Sequence, residues 1–155
     1  MTTDLKNYFT DKFEYHSMIN QKLGEYMLSH GDKVPAKCIE LFSHYTMAQA
    51  YWQSLLLKNG FRDFKTSTIE GSMERDLKNQ IDLTEIFSKF ELDERIITKN
   101  RDGSKYHYTL EVILSQLIMH YSYHRGQINT SLKESGIPPM ATDYLLFRRD
   151  LEAAE

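Results

Sequence analysis

Residues 110–134 read LEVILSQLIMHYSYHRGQINTSLKE, and the spacing of their apolar residues decides the fold. Leu110, Leu114, Leu117, Tyr121, His124, Ile128 and Leu132 recur every three or four positions, the period of one helix face. Gly136 and then Pro138-Pro139 follow. Glycine takes the left-handed turn just past a helix, and proline cannot continue one. One long helix over about Leu110–Glu134 is predicted.

Working outward, the run before it carries a different signal. Arg95–Asn100 and Lys105–Tyr108 are β-prone and are separated by Arg101-Asp102-Gly103-Ser104. Asp-Gly between such runs predicts a hairpin. Two strands alone are marginal, so the ribbon must lean on helices. Further upstream a third helix is expected over about Met73–Phe90, with Leu77, Ile81, Ile86, Phe87 and Phe90 as its apolar residues in a less regular pattern. The stretch Phe61–Gly71 is polar and reads as irregular. A second helix opens near Pro35, a good first-turn residue, and stops at Asn59-Gly60. Its apolar stripe is Cys38, Leu41, Tyr45, Ala48, Trp52 and Leu55. The first helix covers about Asp4–Ser29, with Leu5, Phe9, Phe13, His16, Ile19, Leu23 and Met27 on one face and Gly31 closing it. The tail through Tyr144–Phe147 is apolar enough to return to the bundle. The fold class is therefore all-α: a four-helix bundle with a short β-hairpin before the last long helix, expected as one domain over residues 1–155.

Composition agrees with that picture. The chain is 41% hydrophobic and 26% charged, too apolar for a disordered segment. A net charge of -3 with both signs interspersed speaks against a nucleic-acid-binding domain, which needs a basic footprint. Cys38 is the only cysteine, so no intrachain disulfide forms and a reducing compartment fits. On its helix it faces the core, where a free cysteine behaves as a small apolar residue. The N-terminus shows no secretory signal, and no apolar run approaches the ~20 residues that span a bilayer. A cytoplasmic protein without membrane partners is expected.

The chemistry lies in the histidines. His120 and His124 stand at i, i+4, with Cβ atoms ~6 Å apart on one helix face. Both fall within about 40° of the stripe's centre, which predicts that both point inward. Two buried imidazoles need hydrogen-bond partners or a shared metal ion. A metalloprotease is not indicated, because no glutamate follows His120 as in H-E-x-x-H. A third ligand from another helix would leave one coordination position open for water or substrate. Two residues compete for that place. His44 lies at the margin of the second helix's stripe, and His16 lies squarely on the first helix's stripe, where core packing is the plainer role. His107 and His30 read as turn or surface residues. Gln127 falls near His124 and could support its ring through a hydrogen bond. Gly126 costs its helix about 1 kcal/mol relative to alanine, tolerated for close packing, for backbone access or as a surface loss.

The run His120-Tyr-Ser-Tyr-His124-Arg-Gly-Gln-Ile128, with Leu132, Ser135-Gly136-Ile137-Pro138-Pro139 and Asp143, resembles the C-terminal signature of the DinB superfamily. Leu41-Phe-Ser-His44-Tyr-Thr-Met-Ala-Gln-Ala-Tyr-Trp52 resembles that family's second helix, where a histidine precedes a tryptophan by two turns. The hairpin matches as well. The resemblance implies a bundle that binds a divalent metal, zinc or nickel above all, through three histidines: His44, His120 and His124. It implies homodimers, and a small-molecule substrate in relatives that are metal-dependent transferases using low-molecular-weight thiols such as bacillithiol or mycothiol. A thiol transferase acting on small electrophiles is one expectation for this chain. A non-catalytic metal-binding stress-response, sensor or structural dimer is the other. Gln116 stands where relatives often carry a further histidine, and Met119 where asparagine is common.

Overall fold

The computed structural model describes residues 2–60, 68–99 and 102–153. Helix α1 spans Thr2–His30, α2 Ala36–Leu57, α3 Ile69–Lys89, α4 Leu110–Glu134 and α5 Tyr144–Glu152, with strands β1 Arg95–Lys99 and β2 Lys105–Thr109 before α4. Helix α2 packs on α3 and α4, and α1 packs on the same two, so four helices enclose one core. Most of the expected irregular stretch, residues 61–67, lies outside the described residues, as do positions 100 and 101 of the hairpin.

The long helix is as its periodicity predicts. All seven stripe residues of α4 are buried. The Thr109 hydroxyl caps its start by accepting from the Val112 N–H, and its end is a Schellman motif. Gly136 sits at φ +79, the Gly136 N–H donates to Lys133 O, and the Ile137 N–H donates to Leu132 O at 2.9 Å. Ile137 is buried, so the apolar contact that accompanies this motif is present as well.

Two helices bury faces that their apolar residues do not mark out. In α3, Leu77 and Ile81 are 52% and 66% exposed. The buried face is instead Ile69, Ser72, Arg75, Asp76, Asn79, Asp82, Leu83 and Ile86. The helix also begins earlier, at Ile69, because the Thr68 hydroxyl accepts from the Gly71 N–H and supplies an N-cap. In α2, Pro35 is the N-cap residue rather than the first helical one, and the buried set is Cys38, Phe42, Tyr45, Leu56 and the polar Ser43, Thr46, Gln49, Gln53 and Ser54. Leu41, Ala48, Trp52 and Leu55 are half-buried at its edge. Helix α2 lies between α3 and α4, so it needs a wider buried face than one apolar stripe supplies.

Polar groups fill that gap by bonding one another. The Asn79 side chain donates to Thr46 O at 2.9 Å and the Gln53 side chain donates to Asn79 O at 3.0 Å. Asp76, fully buried, accepts from the Ser17 hydroxyl at 2.7 Å and from the side-chain amides of Asn20 at 2.6 Å and Gln21 at 3.0 Å. The expected return of the tail is seen: Phe147 of α5 is buried against Tyr15 and Ile19 of α1. No described helix is long and apolar enough to cross a membrane. A Cβ on Gly126 would meet open space, so close packing is not the reason for that glycine.

Candidate metal centre

His44 stands on α2, and His120 and His124 stand one turn apart on α4, where the seam between the two helices reaches the surface. His120 Nε2 is 3.2 Å from His44 Nε2 and 2.9 Å from His124 Nε2. One ring nitrogen from each residue lies within 4.8 Å of the other two. The ring pairs meet edge-on, at 73°, 89° and 80°. Zinc–imidazole bonds of roughly 2.05 Å give a tetrahedron whose edges are about 3.3 Å, so two of these separations come near coordination spacing.

Hydrogen bonding explains the contact only in part. The His124 Nδ1–H donates to Gln127 Oε1 at 2.7 Å, which leaves His124 Nε2 as a lone pair. One proton on His120 Nε2 can then be shared between two acceptors, but in the tautomer with that proton on Nδ1 three lone pairs converge and no proton fills the space between them. A single divalent cation would, so the donor set fits a metal ion and these three residues could hold one. Burial and the neighbouring His124 and His44 rings push the His120 imidazole down to about 4. Burial and His124 lower the His44 value as well. Both rings therefore stay neutral, the form that ligates.

The inward orientation expected for the pair holds only for His124. His124 is 9% exposed, whereas His120 is half-buried and His44 exposed. The wall behind them is aromatic. The buried Tyr45 ring lies parallel to His124 at 6.5 Å, and Tyr123 meets it edge-on at 5.1 Å. Solvent is left on the side of His44.

Gln127 uses both ends of its amide: Oε1 accepts from His124, and Nε2 donates to the Tyr123 hydroxyl at 3.2 Å. The amide thus fixes the imidazole's tautomer and tilt. Replacing Gln127 by leucine should lower metal affinity about 10–100-fold with the same stoichiometry, as removing a partner of a ligating histidine does. Competition with a chelating dye measures it, and unchanged affinity would remove Gln127 from the site.

His16 is not part of the cluster. It is 1% exposed, stacked at 5.0 Å on Tyr121 and near Phe13 and Tyr15. Its Nδ1 accepts from Arg125 Nη1 at 2.8 Å. Burial first, then the charges of Arg125 and Lys12, hold its pKa well below the usual histidine value. Above the ordinary pKa of about 6.5 both folded and unfolded chains keep it neutral. Below that, only the unfolded chain takes up the proton, so stability falls by up to about 1.4 kcal/mol per pH unit. In chelator, a shift from about pH 7.5 to about pH 5.5 should lower the wild-type melting temperature more than that of His16→Gln. Equal losses would discard the assignment.

His107 is exposed on β2, and His30 Nδ1 lies 2.8 Å from Tyr26 O at the end of α1. Cys38 is buried, and burial pushes its thiol up, away from the reactive thiolate. Gln116 and Met119 are exposed on α4.

Periodicity gave no hint of the buried polar groups beside the centre. Tyr45 donates to Asn20 Oδ1 at 3.1 Å, and Tyr121 donates to Gln49 Oε1. Only the polar interruptions of α2 and α3 could have signalled them.

A sequence profile described as the DinB family matches residues 40–153, a span that contains His44, His120 and His124 but not His16. No curated protein matches the chain.

Proposed function

The chain belongs to the DinB family, and on that premise we propose that its three histidines hold a zinc or nickel ion which activates a low-molecular-weight thiol for transfer to a small electrophile. The observation that carries this reading is the convergence of three imidazole nitrogens at a seam open on one side. Three protein ligands with an open position are the catalytic rather than the structural type of zinc arrangement. A divalent ion there would lower the pKa of a thiol in the open position.

The chain's own residues have three tasks. His44, His120 and His124 supply neutral nitrogens, and Gln127 orients one of them. Tyr45, buried behind His124, keeps water from the rear of the site. The proton released by the thiol leaves to solvent past exposed His44. Cys38 takes no part.

Protein purified without a histidine tag and loaded with zinc or nickel should consume bacillithiol, mycothiol or glutathione in the presence of chlorodinitrobenzene. That turnover should require the ion and disappear in His120→Ala. Bound metal with no turnover for any thiol would move the assignment to a non-catalytic metal-binding bundle. Homodimerisation belongs to the same reading, and a monomer in sedimentation velocity would count against it.

A further inference from the structure

We propose that the strip of surface from the three histidines to Trp52 is the specificity end of this site, and that it takes a neutral planar aromatic group on a small molecule whose head reaches the metal position. This rests on the metal reading above.

Helices α2 and α4 run antiparallel along the strip. Cys38 Sγ lies 3.8 Å from Ile128 O below the histidines, and Trp52 meets Tyr108, just before α4, above them. Two turns of α2, about 12 Å, separate His44 from Trp52. The residue between them on that face is Ala48, which contributes only a methyl group. On α4 the exposed, uncharged Gln116 lies one turn from His120 towards the hairpin. Helical side chains lean towards their helix N-terminus, so Trp52 leans back over Ala48 and His120 leans towards Gln116.

The hairpin closes the far end. Alternation and register put Ile96, Thr98, Tyr106 and Tyr108 on one face, with Ile96 opposite Tyr108 and Thr98 opposite Tyr106. Ile96 is buried in the bundle core, so this face is turned to the helices. Tyr106 and Tyr108 nevertheless stay 42% and 36% exposed. Trp52, half-buried, meets Tyr108 at 6.0 Å and 90°, and Tyr106 lies parallel to Tyr108 at 6.4 Å. The Tyr51 hydroxyl reaches Thr98 Oγ1 at 3.4 Å and ties α2 to the hairpin. These rings are ordered by one another yet only partly covered. Their open faces and edges suit a further aromatic ring, and neither Ala48 nor Gln116 would pair with a charged ligand.

Trp52 is the single tryptophan, so its emission reports on the strip directly. Zinc-loaded protein is titrated with acetohydroxamate and with phenylbutyrohydroxamate, which share a metal-binding head and differ by the arylalkyl chain. The phenyl compound should bind about tenfold or more tightly and perturb Trp52 emission, through ring contacts of the kind aromatic pairs make. Tyr108→Ala and Ala48→Leu should each erase that preference while leaving zinc stoichiometry and acetohydroxamate affinity unchanged. Equal affinity for the two probes on zinc-loaded protein, or a preference that survives both substitutions, overturns this inference and spares the metal reading. Failure of zinc to bind overturns both.

Discussion

His124→Ala should abolish stoichiometric binding of a divalent ion. The residue is the most enclosed of the three histidines, with its tautomer set by Gln127 and its ring laid parallel to Tyr45. Without it His44 and His120 remain, and two imidazoles at an exposed seam compete poorly with water for an ion. At free metal about 100 times the dissociation constant the wild-type fold should gain about 2.7 kcal/mol. For a chain of this size that is roughly 5–11 °C in melting temperature. The variant should gain nothing. His16→Gln is the matched control: it alters a buried histidine that bonds Arg125 and lies outside the cluster, so its metal content should stay at one equivalent. Elemental analysis and thermal melts with and without metal read both effects. One equivalent of ion retained by His124→Ala would end the three-histidine assignment.

Asp76→Ala should cost the fold more than any surface change. The carboxylate is fully buried and accepts from Ser17, Asn20 and Gln21. Burial raises its pKa, and the donors around it act in the opposite direction. Asn20 passes the network on: its Oδ1 accepts from Tyr45 at 3.1 Å and from Arg125 Nη1 at 3.5 Å. Arg125, 2% exposed, also donates to His16 at 2.8 Å and to the Tyr15 hydroxyl at 3.2 Å. Alanine would strand three donors and remove a buried acidic group that attracts Arg125 across Asn20. Each buried donor left unsatisfied costs about 1–3 kcal/mol, so the loss should reach about 3–5 kcal/mol, or roughly 6–20 °C in melting temperature. Asp76→Asn keeps the volume and one acceptor oxygen and should cost less. Calorimetry of the metal-free proteins distinguishes them, and a change within about 2 °C for Asp76→Ala would show that the network does not hold the bundle together.

Asp76 also shows where sequence periodicity stopped. In α4 and α1 most of the buried face is apolar, and a period of three and four locates that part, although Ser17, Asn20 and Arg125 are buried beside it. In α3 the apolar residues Leu77 and Ile81 point outward and Asp76 and Asn79 point in. A polar residue is indistinguishable from a surface one until its partners are known, and those partners lie more than fifty residues away on α1 and about thirty away on α2.

The candidate site divides along the same line. His120 and His124 share a face because four residues make about one turn, and that follows from local sequence alone. The turn at Gly136, the hairpin at Asp102-Gly103 and the support from Gln127 are local in the same sense. His44 was legible only through a family resemblance, since spacing along one chain left it level with His16. The tertiary structure separates them: α2 crosses α4 at the level of the pair, while α1 carries His16 into the core beside Arg125. Backbone periodicity determines which residues share a face of one helix, whereas the offset between helices decides which faces meet, and that offset is set by packing of the whole core.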